Sequence, residues 1–296
     1  MTRPFRMPAV GQEAVDHLVG MLDLDRRDAT TFVGVTPVVG VQRVYGGHVA
    51  AQALVAAGRT VDPSRYVHSL HGYFVRPGEY GLPIEYRVEN IRDGRSFSVR
   101  RSVAVQNDKT IFFMSASFHR REEGLDHQAP GPLDVAGPES LPPMAERFGR
   151  YPDRLGLWAH VPWSIDVRYV GEPGWVPPGD RPADPHQRVW MRIDGTLPDD
   201  PLLHACALTY ASDLTLLDSV LSVHGEVWGP GGLVGASLDH AIWFHRPFRA
   251  DEWFLYDCWS PSAAGGRGLA TGRMFAPDGA NIATAVQEGL LRRVGA

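Results

Sequence analysis

The chain has 296 residues, enough for one large domain or two ordinary ones, each with a real core. Its 44% apolar and 21% charged residues fit a soluble globular protein, and no apolar run approaches the ~20 residues of a membrane span. A net charge of −5 gives no electrostatic reason to expect a nucleic-acid partner.

In chain order, the opening MTRPFRMPAV lacks the apolar core of a targeting segment, and the closing RRVGA is no peroxisomal address. The expected location is therefore the cytoplasm. A short strand is predicted over 31–35, then a helix from 49 to 57 that is apolar around nearly its whole circumference. Strands follow near 67–74, 84–91, 96–106 and 110–118, with turn chemistry in Arg-Asp-Gly-Arg (92–95) and Gln-Asn-Asp-Lys (106–109). Residues 122–158 are dense in Pro, Gly and Glu and read as a linker. Beyond it come strands near 166–170, 234–243, 253–259, 267–275 and 282–290, with a second apolar helix over 214–223. Cys206 and Cys258 stand in apolar contexts and read as buried free thiols rather than a disulfide or metal site.

The second half repeats the first at an offset of 170 residues. Arg76-Pro77 falls on Arg246-Pro247, Tyr73-Phe74 on Trp243-Phe244, and the turn Asn107-Asp108 on Pro277-Asp278. The expected organisation is one repeat over 1–121, the linker over 122–158 and a second repeat over 159–296. A helix apolar on all sides is buried on all sides. With only antiparallel strands around it, the sheet must wrap it. The expected fold is α+β: a double hotdog, two curved antiparallel sheets each wrapped around a long buried helix. An ordinary α+β sandwich would expose one helix face and show a polar stripe, which neither helix has.

Six segments together resemble the acyl-CoA thioesterase II family: RVYGGHVAAQAL (43–54), VHSLHGYFVRPG (67–78), RDGRSFSVRR (92–101), TYASDLTLL (209–217), LDHAIWFHRPF (238–248) and TAVQEGLLR (284–292). The resemblance implies hydrolysis of acyl-CoA to free fatty acid and CoA, without metal or organic cofactor, by a homodimer or homotetramer. It also implies that Asp213, Ser237 and Gln287 hold the attacking water. The family pattern Gly-Gly-Gln is replaced here by Gly46-Gly47-His48, which leaves the role of position 48 open.

The chemistry suits these residue types. A thioester needs a nucleophile and a place for negative charge on its carbonyl oxygen. A carboxylate accepts a proton from water, while a hydroxyl and a carboxamide fix that water from other sides. Free N–H groups and about half a positive charge at a helix N-terminus suit an oxyanion. Leu214 and Thr215 in the second repeat, or Gly46, Gly47 and His48 in the first, are the candidate oxyanion or substrate contacts.

The plainer reading of Asp213 is an N-cap of the helix it precedes, worth ~1 kcal/mol. The first repeat opens its helix with two glycines and no acid, which favours chemistry over a demand of the fold. Alone, Ser237 would be an ordinary strand serine, and Gln287 a buried amide in need of partners. His68 and His71, like His240 and His245, are spaced to opposite faces of a strand, so no metal site is expected. Asp218 is an anomaly on a buried helix and suggests an arginine partner, and Asp239 is the rival carboxylate. Ser117 is expected to occupy the place in the first repeat that Gln287 holds in the second.

Two other functions fit less well. A hotdog enoyl-CoA hydratase or dehydratase would want an acid–histidine pair, and TYASDLTLL has no histidine. A non-catalytic acyl-CoA-binding protein would have no use for the three retained polar residues. A serine hydrolase needs a Gly-x-Ser-x-Gly elbow, and the chain has none.

Overall fold

The structure, a computed structural model, describes residues 10–36, 43–132, 134–144, 146–147, 164–176, 179, 184–229 and 231–293. The expected linker residues 148–158, the boundary at 159 and the chain ends 1–9 and 294–296 lie outside them.

The first repeat opens with helix α1 (Gly11–Leu22), which buries Ala14, Val15, Leu18 and Leu22 along one stripe. Strands β1 (Asp25–Arg26) and β2 (Thr31–Gly34) lead to helix α2 (Gly46–Gly58). Every residue of α2 from Gly47 to Ala57 is buried, so the missing polar stripe has its expected meaning. Strands β3 (Arg65–Phe74), β4 (Ile84–Asp93), β5 (Phe97–Gln106) and β6 (Lys109–Arg120) complete the repeat. Asn107 and Asp108, both at positive φ (50° and 59°), close the two-residue β5–β6 hairpin.

The second repeat comprises β7 (Ile165–Val170), β8 (His186–Ile193), helices α3 (Pro201–Ser212) and α4 (Asp218–His224), and five further strands. These are β9 (Leu233–Ser237), β10 (Asp239–Phe244), β11 (Phe254–Ala264), β12 (Arg267–Phe275) and β13 (Asn281–Arg293). The sequence reading missed α1, β1 and β8. It also merged β9 with β10, which the chain breaks at Leu238.

Two expectations need correction. The first is the pair of separate sheets. Among the described residues the strands form one sheet in the order β1-β2-β4-β5-β6-β3-β10-β13-β12-β11-β8-β7, with β9 also on β13. The repeats fuse where β3 pairs antiparallel with β10, from Ser69 opposite Trp243 to Tyr73 opposite Asp239. The second is the single long helix over 214–223. The second repeat has instead α3, started by Asp200 whose carboxylate accepts from Leu202 N–H, then a tight spiral, then the seven-residue α4. Helix α3 packs on α2, so the buried faces of the two repeats share one core.

Residues following β6 lie along the second repeat rather than loose in solvent. Asp126 pairs with Arg246, Gln128 bonds to both Gly279 O (2.8 Å) and Asn281 N (2.9 Å), and Trp190 donates to Ala136 O (2.9 Å). Cys206 and Cys258 are free buried thiols, and burial pushes both pKa values up. No helix among the described residues is long and apolar enough to cross a membrane.

Candidate active site

Asp213 is the residue that closes α3, with φ −80° and ψ −6°. The expectation that it opens a helix is therefore wrong. Beyond it the backbone tightens to i→i−3 bonding: Leu214 N–H reaches Ala211 O at 3.1 Å and Asp218 N–H reaches Thr215 O at 3.1 Å. This spiral presses on β13 at Gly289, where a Cβ would stand 2.5 Å from Leu217 Cδ1. A side chain there would have to displace Leu217.

Three elements then converge on one carboxylate. Ser237 Oγ donates to Asp213 Oδ1 at 3.0 Å, and Gln287 Nε2 donates to the same oxygen at 2.5 Å. Ser237 stands opposite Gly289 in the β9–β13 ladder, and Gln287 is two residues along β13, on the same face. Register alone brings these two side chains together. The third donor comes from the other repeat: Gly47 N–H, in the first turn of α2, donates to Asp213 Oδ2 at 2.8 Å. So Asp213 does cap a helix, but a helix 166 residues away rather than the one it precedes. The α2 N-terminus has no side-chain cap of its own. A Cβ on Gly46 would lie 2.7 Å from Asp213 Oδ2, so this contact requires a glycine there.

Comparison with known proteins agrees with this architecture. A family model described as acyl-CoA thioesterase matches residues 166–290, and one described as acyl-CoA thioesterase N-terminal domain matches 36–119. Acyl-CoA thioesterase 2 of Haemophilus influenzae is 36% identical over 95% of this chain and 98% of its own length. Human acyl-coenzyme A thioesterase 8 is 39% identical over 92% of this chain and 88% of its own. The crystal structure of an acyl-CoA thioesterase II from Mycobacterium marinum superposes with a TM-score of 0.75 at 43% identity, covering 93% of this chain and 98% of that one. The chain belongs to the acyl-CoA thioesterase II family.

In this acyl-CoA thioesterase the remaining sequence candidates sort by the state of their polar atoms. Leu214 spends its N–H on Ala211 O, and Gly47 spends its own on Asp213. Thr215 is buried (1% exposed), and its Oγ1 has no hydrogen-bond partner among the described residues. Gly46 and His48 flank Gly47 in the first turn of α2. The His48 ring is buried; burial draws its pKa down to about 4, against the opposing pull of Gln52 and the Val35 carbonyl. Asp239, the rival carboxylate, is occupied in bracing the break between β9 and β10: its Oδ1 accepts from Glu288 N–H at 2.7 Å.

Two further expectations fail on geometry. Asp218 takes no arginine among the described residues; it accepts from Tyr169 Oη (3.0 Å) and Trp228 Nε1 (2.8 Å). Its carboxyl is pushed up to about 6 by burial, with those two bonds opposing. Ser117 is not the counterpart of Gln287. Phe97 pairs with His119 in the first repeat where Arg267 pairs with Leu290 in the second, so Gln287, opposite Ala270, corresponds to Ala116, opposite Arg100.

The sequence reading gives no role at the end of α3 to three residues that touch it, having weighed His240 only as a metal ligand and Tyr45 only as a tunnel-lining aromatic. Tyr45 Oη donates to Tyr210 O (2.7 Å), Tyr256 Oη donates to Ser212 O (3.1 Å), and His240 Nε2 lies 2.7 Å from Ser212 Oγ. The signal available was that Tyr45 and His240 fall inside the family-like segments while serving no strand or helix pattern.

Proposed function

We propose that this thioesterase hydrolyses acyl-CoA to free fatty acid and CoA by direct attack of a water molecule that Asp213 activates, with no acyl-enzyme and no cofactor. The observation that supports this most is the division of labour around Asp213. Three donors from β9, β13 and α2 hold its carboxylate, while the buried Gln287 Oε1 has no hydrogen-bond partner among the described residues. Asp213 Oδ2 and Gln287 Oε1 are acceptors on two hydrogen-bonded groups. A water donating one hydrogen to each turns its lone pairs outward, towards a thioester carbonyl.

Attack forms the new C–O bond and passes the water proton to Asp213; collapse breaks the C–S bond, and the thiolate takes the proton back. Base catalysis of this kind supplies roughly 10²–10⁴-fold. The developing oxyanion falls to the positive end of α2 near Gly46 and His48, or to Thr215; a donor so placed is worth about 10²–10³-fold. Tyr45 and Tyr256, whose pKa values burial raises well above ordinary, stay protonated and so keep donating to the carbonyls of Tyr210 and Ser212.

The test is hydrolysis of an acyl-CoA panel, following free thiol, for wild type and Asp213→Asn. Wild type is expected to release thiol, and the variant to lose roughly 100-fold or more in kcat. Rapid quench is expected to find no acyl group on the protein, and a stoichiometric acyl burst would replace water attack by a covalent route. The same reading places the enzyme in the cytoplasm as a homodimer or homotetramer, with β1 and β7, the outermost strands among the described residues, as edges for association. Sedimentation yielding a 32.6 kDa species alone at micromolar concentration would remove the oligomer.

A further inference from the structure

The last turn of α3 has all four of its closing carbonyls answered, and the donors come from both repeats. An α-helix leaves these groups without intrahelical partners. Here Ser212 Oγ donates to Thr209 O at 2.9 Å, Tyr45 Oη to Tyr210 O, Leu214 N–H and Asp213 N–H to Ala211 O, and Tyr256 Oη to Ser212 O. A helix end fixed this fully does not fray, and its next residue is Asp213.

One contact in this cluster goes further than capping. Ser212 has a single hydroxyl proton, and it goes to Thr209 O. His240 Nε2, 2.7 Å from Ser212 Oγ, must therefore be the donor, which fixes the Nε2–H tautomer. The ring is 1% exposed, and burial holds its pKa below the ordinary value against the pull of Asp213 and Asp239. Its other nitrogen, Nδ1, makes no hydrogen bond among the described residues. The neutral imidazole thus has one donor, and that donor is given to the residue preceding Asp213.

The placing of that donor gives it a purpose. His240 stands on β10, which pairs with β13 on one side and β3 on the other. Gln287 is on β13, and Ser237 is three residues before His240. We propose that His240 is a positioning residue: through Ser212 it ties the closing turn of α3 to the sheet region that carries Ser237 and Gln287. All three side chains of the site then share one frame. This inference rests on Asp213 being the base of the thioesterase reaction.

The test is steady-state kinetics on the full chain for His240→Leu, His240→Gln, Ser212→Ala and the double variant His240→Leu/Ser212→Ala, with Asp213→Asn alongside. A small misplacement of a catalytic group costs up to about 100-fold, so His240→Leu and Ser212→Ala should each lower kcat roughly 10- to 100-fold with KM within about twofold. Because the two act through one bond, the double variant should be no worse than the poorer single. His240→Gln, whose amide can donate from near the Nε2 position, should recover most of the loss. Ser212→Ala, the smallest change, serves as the second variant where His240→Leu folds poorly. Additive losses, a glutamine no better than leucine, or a fall only in the active fraction with unchanged kcat would each overturn the proposal. If Asp213→Asn is inactive while Ser212→Ala and His240→Leu turn over normally, the positioning inference alone falls. If Asp213→Asn keeps wild-type turnover, both readings fall.

Discussion

The two repeats share a strand plan but not a site. In the second, β9 and β13 present Ser237 and Gln287 to Asp213. At the matching places the first repeat has Val67, opposite Phe118 as Ser237 is opposite Gly289, and Ala116, both buried and apolar. A simple account would make the first repeat a scaffold. The Gly47 N–H bond to Asp213 argues against that, because the first repeat supplies the helix N-terminus that meets the Asp213 carboxylate. On the proposed reading, one site is divided between the two repeats.

The largest test of this division is substitution in the repeat that has no polar side chain at the site. Gly46→Ala places a methyl 2.7 Å from Asp213 Oδ2, and Gly47→Asp places its Cβ 2.5 Å from Tyr210 O. Each should lower kcat roughly 100-fold or more, since the oxyanion and base positions both shift. Near-normal turnover in Gly46→Ala would leave the first repeat as scaffold after all.

Next in size is a contrast between matched positions. Gln287→Ala should lower kcat roughly 10- to 100-fold by freeing one oxygen of Asp213 and removing an acceptor for water. Ala116→Gln should add no activity, because Ala116 is buried with Leu70 and Arg100, not a carboxylate, as its cross-strand neighbours. A gain from Ala116→Gln would mean that the first repeat retains a latent centre.

Smaller still is an effect on stability. Asp213→Gly removes a cap from α2, worth about 1 kcal/mol, so the melting temperature should fall by roughly 2–4 °C while hydrolysis is abolished. Unchanged melting would show that the Gly47 N–H bond does not cap α2 in solution. A separate effect, on the pH dependence of stability and not on turnover, concerns Asp218, whose pKa burial raises from 3.8 to about 6. A raised carboxyl stabilises the fold fully below its unfolded value, and that contribution fades as pH climbs through the folded value. Thermal melts from pH 4 to pH 7 should thus show wild type losing stability relative to Asp218→Asn between about pH 4 and pH 6. Parallel curves would contradict the burial of an ionisable Asp218.

Alternation and turn residues carried most of the strands, and the family resemblance singled out Asp213, Ser237 and Gln287. The sequence did not carry the joint site. Gly46-Gly47 and Asp213 meet only through the packing of α2 on α3, which no periodicity encodes. Helix α3 itself was legible: Asp200-Pro201 combines an N-cap with proline at the first helical position. The apolar run after Asp213 obscured that start. Its end was not legible, since neither glycine nor proline marks the closure at Ser212-Asp213. Strand β8 was hidden for another reason. Val189, Trp190 and Met191 are buried in succession, and a strand covered on both faces loses its alternation.

The β3–β10 seam has a consequence for how the enzyme could be divided. A cut between β6 and β7 would leave β3 and β10 as unpaired edges on separate polypeptides. The covalent tether keeps the two partners at a far higher effective concentration than free halves have at assay dilution. Without it, Gly47 and Asp213 would meet only by diffusion, and turnover per chain would depend on dilution. The halves would form a complementation pair: each inactive alone, with catalysis reporting how tightly they reassemble.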